Sequence, residues 1–208
     1  MTNRLSKVLM LVLVVILIAA TPAQARSRRI WRDDLWWGMQ EADDCSAYAW
    51  AAWLTANPAR DAPPIEPEEL HRLSQEGREW TVGAPPFAGA EVLQGLGYIS
   101  SWRLATSWHE TRAWLLERGP IPIGITWYMG LERHRGPTRV HEGAINQGSH
   151  SLLMDGIDLE HRWVRLKNSW GQDWNDDGYV KVRLSSIRWI LFGNDGSPSA
   201  EIILAEKV

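Results

Sequence analysis

Residues 164–182 read VRLKNSWGQDWNDDGYVKV. Strand-like stretches flank a connection that holds Asn168, Trp170, Gly171, Trp174 and Gly178. A plain hairpin needs one Asn-Gly or Asp-Gly pair and nothing more. The surplus indoles and glycines call for another reason. A neutral Asn amide can hydrogen-bond one imidazole nitrogen and fix its tautomer. A candidate ring stands eighteen residues earlier (168 − 150), at the head of GSHSLLMDGI, residues 148–157. There Gly148 and Ser149 lead into an apolar run, so His150 is open on one side and rigid on the other. A turn between Asp158 and Arg162 would lay the two strands antiparallel and bring Asn168 to His150. Trp170 would then cover that hydrogen bond, with glycines letting the backbone pass close to two indoles.

The chain has 208 residues, 45% hydrophobic, with a formal net charge of −3, which describes one ordinary globular domain. No basic surface is indicated, so nucleic acid is not an expected partner. Fourteen Trp stand against two Phe. The indoles are expected to do the core work that Phe does elsewhere; the alternative is that some of them line a groove. The N-terminus reads as a targeting segment: Arg4 and Lys7, an apolar run over 8–20, then Ala23-Gln24-Ala25. The run is short for a spanning helix, which needs about 20 residues. Cleavage after Ala25 is expected, giving a periplasmic or secreted protein with no membrane anchor; retention of the segment as an anchor is the alternative.

Cys45 is the single cysteine. In an exported chain a leftover thiol is either reactive or bridged to a partner, unless it is an inert buried side chain. Its surroundings favour reactivity. QEADDCSAYAWAAWL, residues 40–54, reads as a helix apolar on nearly every side from Ser46 onward, hence buried. Asp43 or Asp44 can cap it. Cys45 then sits at the positive end of the helix, which favours the thiolate, while the two aspartates oppose it unless they face solvent. A thiolate nucleophile needs a base and the base an orienting group; Cys45, His150 and Asn168 supply the three. His71 and His109 lie among charges in helical patterns, and His134, His141 and His161 in polar loop contexts.

The remaining pattern divides in two. Helices are expected over 66–78, with Pro67 in its first turn, over 87–96, and after Ser107, where Ser107 and Glu110 form a capping box and Gly119 a stop. Strands are expected in PIPIGITW, SLLMDGI, WVRLKNS, GYVKVRL and AEIILAE, from Pro120 onward. Loops are expected at 56–64 and 133–148. Asp173 to Gly178 matches half of a calcium loop, but position 184 is Leu184 where a bidentate Glu is required. No metal or cofactor is expected.

These residues resemble the papain-like cysteine peptidases, in particular compact bacterial members. The likeness rests on NSWG at 168–171, Trp174, GYVKV from Gly178, GSHSLLMDGI, the chain order Cys, His, Asn, and a cysteine that opens an apolar helix. Weaker echoes are GPIPIGITWY from Gly119 and GAPPFAGAEVLQGLGY from Gly83. The resemblance implies an α+β, two-lobe fold: a helical N-terminal lobe, about 40–118, and an antiparallel, β-barrel-like C-terminal lobe, about 119–208, within one domain from 26. The active site would lie in the cleft between them. It implies hydrolysis of peptide bonds through a thioester on Cys45, with His150 as base and acid, Asn168 as its orienter and Gln40 as oxyanion donor. Trp174, Gly83 and Ser149 would contact a peptide or protein substrate, with Trp170 supporting, in a monomer. Departures are DDCSAY around the nucleophile and Gln40 standing five residues before Cys45, where the family has six. The about twenty residues between the cleavage point and Cys45 leave no room for an inhibitory pro-segment. Alternatives are other thiol hydrolases, a thiol amidase or transglutaminase, and a papain-fold groove that binds peptides without cutting them.

Overall fold

The computed structural model describes residues 27–31, 38–56, 65–80, 83–132 and 136–208. The expected targeting segment, His134 and residues 57–64 of the first expected loop lie outside them. Helix α1 (Cys45–Thr55) is buried at every position from Ser46 to Trp53, as its all-round apolar sequence requires. Its two large indoles also find polar partners. Trp50 Nε1 donates to Pro86 O at 2.8 Å and Trp53 Nε1 to Pro120 O at 3.0 Å, so the helix is tied to two of its neighbouring segments. One of these is α3 (Pro86–Gly95). It lies so close to Trp50 that a Cβ on Gly89 would stand 2.4 Å from the indole. Helix α2 (Pro67–Gln75) begins with proline at its first turn, where the missing N–H costs nothing.

Beyond α3 run β2 (Ile99–Leu104), α4 (Trp108–Glu117), β3 (Ile121–Tyr128), β4 (Asn146–Asp158), β5 (Trp163–Lys167), β6 (Tyr179–Arg183), α5 (Leu184–Phe192) and β7 (Glu201–Lys207). The sheet order is β2-β7-β3-β4-β5-β6, with a short β1 (Arg28–Ile30) added to β4. All named strand pairs are antiparallel. The path stays open between β2 and β6, so the curled sheet does not close into a barrel. Alternation along β3 sends Ile121, Ile123, Ile125 and Trp127 to one face, where α4 and α5 cover them. The opposite face carries Leu153, Tyr179, Ile203 and Ala205 against α1, α2 and α3. The chain is thus α+β, with a helical layer on each side of one sheet.

Some local expectations change. Ser107 caps α4 by accepting from Glu110 N at 3.3 Å, but the Glu110 carboxylate reaches Thr106 N at 2.9 Å, one residue before the cap. Asp44 occupies the N-cap of α1 without a side-chain cap bond. The expected loop over 133–148 ends early, because β4 begins at Asn146. Neither β2 nor α5 was expected. Strand β2 lacks a clean apolar alternation and is mostly exposed, hydrogen-bonded along β7. Helix α5 follows β6 with no turn residue between them and stops at Gly193, whose φ of 58° favours glycine.

Candidate active site

Cys45 is the first residue of α1 and is partly exposed. His150 lies on β4 opposite Ile125 of β3, and is buried. Both line one cavity of about 640 Å³, together with Gln40, Asp43, Gly83, Pro86, Ser149 and Glu201. His150 Nε2 meets Asn168 Oδ1 at 2.7 Å. Because that oxygen can only accept, Nε2 carries the proton and Nδ1 is left as the basic nitrogen. Asn168, just past β5, is itself fixed: Ser169 N donates to the same Oδ1 at 2.8 Å, and Asn168 N donates to Gly178 O at 2.9 Å. Lys167 Nζ donates to Asn168 O at 2.7 Å.

Two indoles contact the imidazole, and a third packs against both of them. Trp170 lies 4.9 Å from the His150 ring, tilted by 31°, and Trp127 meets the ring edge-on at 5.1 Å. Trp127 also packs against Trp170 at 5.2 Å and Trp174 at 6.4 Å. Trp170 and Trp174 meet at 5.4 Å and 88°. Such edge-to-face contacts suit the ring quadrupoles.

Burial sets the charges. It pushes the Cys45 thiol up; hydrogen bonds from the Ser151 backbone and hydroxyl and the Ser46 backbone pull it back, and the charge of Asp44 adds to the rise. The helix terminus therefore does not by itself make Cys45 a thiolate, and Asp44 opposes it as its position suggested. Burial likewise pulls His150 down, against the Asn168 hydrogen bond, which raises it. Burial thus disfavours the charged form of each group taken alone.

Gln40 lies beside the Asn168 segment. Gln40 N donates to Ser169 O at 2.8 Å, and Met39 bridges Trp170 antiparallel. The Ser169 hydroxyl donates to Gln40 Oε1, and Gln40 Nε2 donates to Ala42 O at 2.9 Å. One amide hydrogen of Gln40 remains for another acceptor. Gly83 packs against the backbone just before the nucleophile: a Cβ there would come 1.8 Å from Asp43 O. Ser149 is exposed on the cavity wall, whereas Trp174 belongs to the indole cluster. Among the described residues, no group of three or more His, Cys, Asp or Glu could hold a metal ion. Asp176, from the half calcium pattern, pairs with Lys181 at 3.0 Å.

Sequence reasoning missed Trp127, Ser151 and Glu201. Trp127 was findable, since it continues the alternation of Ile121, Ile123 and Ile125. Ser151 and Glu201 carry no signal of their own, because strand pairing alone brings them to the cavity.

The papain family cysteine protease profile matches residues 95–189. Cysteine proteinase B of Leishmania mexicana is 37% identical over 73 residues, covering 34% of this chain and 16% of that protein. The viral cathepsin of Orgyia pseudotsugata multicapsid polyhedrosis virus is 36% identical over 88 residues, covering 40% of this chain and 26% of its own length. The match thus spans about a quarter or less of these relatives. In fold the likeness is wider. Xylellain, a cysteine protease from Xylella fastidiosa, superposes with a TM-score of 0.70 at 19% identity, over 93% of this chain and 89% of that one. The Carica candamarcensis cysteine protease CMS1MS2 gives 0.64 at 15% identity, over 88% and 99%.

Proposed function

Because residues 95–189 are papain-family sequence and the chain takes the papain-like fold, we propose that it is a thiol peptidase working through Cys45, His150 and Asn168. The observation that carries this is the 2.7 Å contact of His150 Nε2 with Asn168 Oδ1, on a ring that shares a cavity wall with Cys45. Nδ1 takes the thiol proton, and the sulfur attacks a peptide carbonyl carbon. The oxyanion is held by Cys45 N–H and the free Gln40 amide hydrogen. As the C–N bond breaks, the imidazolium gives its proton to the leaving amine. Water, deprotonated by Nδ1, then releases the acid from the thioester. Gly83 and Ser149 flank the acyl side of the peptide, Trp174 the leaving-group side, and Trp170 with Trp127 keeps the ring dry. The domain runs from 26 to 208, with 1–25 as an export signal. The mature protein is periplasmic or secreted and monomeric. Among the described residues no helix is long and apolar enough to cross a membrane.

The raised thiol favours a second reading, a groove that binds peptides without cutting them. Iodoacetamide separates the two, since only a thiolate reacts. Wild-type Cys45 is expected to label at mildly acidic pH. In His150→Ala, labelling is expected only above the ordinary thiol range, because burial alone then governs the sulfur. Identical pH profiles would overturn the ion pair and favour the silent groove.

The cavity wall also bears on substrate choice. Its apolar part is Ala84, Pro85, Pro86, Ile125 and Ala200, and Glu201 stands among them. Burial pushes the Glu201 carboxyl up, and the Phe87 N–H that donates to it at 3.4 Å pulls it back. An arginine side chain entering the cavity would restore the charge balance. Glu201→Gln is expected to lower kcat/KM about tenfold on an arginine-bearing peptide and leave a leucine-bearing one unchanged. Equal effects on both peptides would show that Glu201 does not meet the substrate.

A further inference from the structure

We propose that the end of the β-sheet remote from the cleft carries a binding site for a phosphoryl oxyanion, either as a free ion or as a group on a larger molecule. A second cavity, of about 220 Å³, is lined by Arg139, Arg162, Arg183, Leu184 and Ser185. Three of its five lining residues are arginines and none is Asp or Glu, in a chain whose net charge is −3. Among the described residues none of the three has an ion-pair partner. The nearby Asp158 is already engaged by Arg28 at 3.5 Å and His161 at 3.0 Å.

Main-chain bonds hold the three arginines there. Leu184 N donates to Arg162 O at 3.0 Å, Arg183 N to Thr138 O at 3.0 Å, and Thr138 N to Lys181 O at 2.8 Å. Val140 N donates to Ser186 Oγ at 2.9 Å, so Arg139 is anchored on both sides. Arg162 sits at a φ of 60°, in the turn between β4 and β5. Arg183 Nε is buried with no partner, and its Nη1 reaches only His161 O, at 3.5 Å. A buried guanidinium N–H without an acceptor is costly, and an oxyanion in the cavity would supply one. The same wall is the N-terminal turn of α5, nine residues long, whose dipole favours negative charge. Planar guanidinium forks match phosphate oxygens better than any other cation. Eight residues of β4 separate His150 from Asp158, about 26 Å at the usual strand rise. A ligand here therefore cannot touch the peptide cleft; it would tether the protein or load it with an anion.

The test is calorimetric titration of the whole chain with inorganic pyrophosphate at constant ionic strength. Wild type is expected to bind at one site. Arg139→Gln with Arg162→Asn, where asparagine tolerates the positive φ, is expected to weaken binding at least tenfold. Ser185→Asp is a second variant, because an acidic residue in the first helical turn stabilises the helix while repelling the anion. It is expected to abolish binding at a melting temperature no lower than that of wild type. Unaltered affinity in Ser185→Asp, or equal heats from sodium chloride, would overturn the site. Long-chain polyphosphate distinguishes the source: tighter binding per phosphate assigns a polymer-borne group, and equal binding assigns the free ion.

Discussion

Gln40→Ala is expected to lower kcat/KM by about 10²–10³-fold, the usual cost of one oxyanion donor. Stability should fall by only about 1–3 kcal/mol, because the buried Ser169 hydroxyl loses its acceptor. Gln40 stands five residues before the nucleophile, one fewer than in the family it resembles, so position alone argues against it. The local geometry argues for it. Its backbone is fixed by Ser169 O, its Oε1 by the Ser169 hydroxyl and its Nε2 by Ala42 O. The amide is therefore held without freedom to turn, and it shares the cavity with Cys45. An oxyanion draws on the remaining hydrogen only when charge develops, so the loss should fall on acylation and not on peptide binding. Gln40→Glu is the informative companion: it keeps an acceptor for Ser169 and loses the donor, and should be at least as damaging. A drop of less than about threefold in Gln40→Ala would mean that another group holds the oxyanion.

Trp127→Ala is expected to cost about 3–5 kcal/mol of stability, as large buried aromatics do. Trp127 is 4% exposed and touches His150, Trp170 and Trp174 together. Removing it leaves a void beside the imidazole, which admits water to the hydrogen bond with Asn168. Turnover per folded molecule should therefore fall as well. Trp127→Phe, which refills part of the void, should recover most of the stability and part of the turnover. Urea unfolding read alongside active-site titration separates the two effects. A stability loss below about 1 kcal/mol would mean that the indole cluster is not a packed unit.

The elements that could be read from sequence are those whose pattern and punctuation agree. Helix α1 is apolar all round and buried all round. Helix α2 has proline at its start, and β3 alternates cleanly. Asn168 and His150 were legible because a crowded Asn-Ser-Trp-Gly block has no local use. What was not legible lacks a local signal. Helix α5 has two serines in its first turn and carries β-branched and aromatic residues, so propensity says little; packing on the sheet decides it. Strand β2 is extended because β7 offers it a ladder. Whether Cys45 would be a favoured thiolate also lay beyond sequence, because the helix terminus, Asp44 and burial compete, and only packing gives burial its weight.

The bonds between Gln40 and Ser169 join residues 129 apart in the chain, which gives the site a history in time. Closing a loop of that length costs about 4 kcal/mol of chain entropy, and nothing local repays it before β5 and the Asn168 segment have formed. A ribosome adding about 5–20 residues per second takes roughly 6–26 seconds to pass from the first partner to the second. On the assignment proposed above, the nucleophile is made early and armed late. A growing chain would carry its thiol through that interval with neither its base oriented nor its oxyanion donor held.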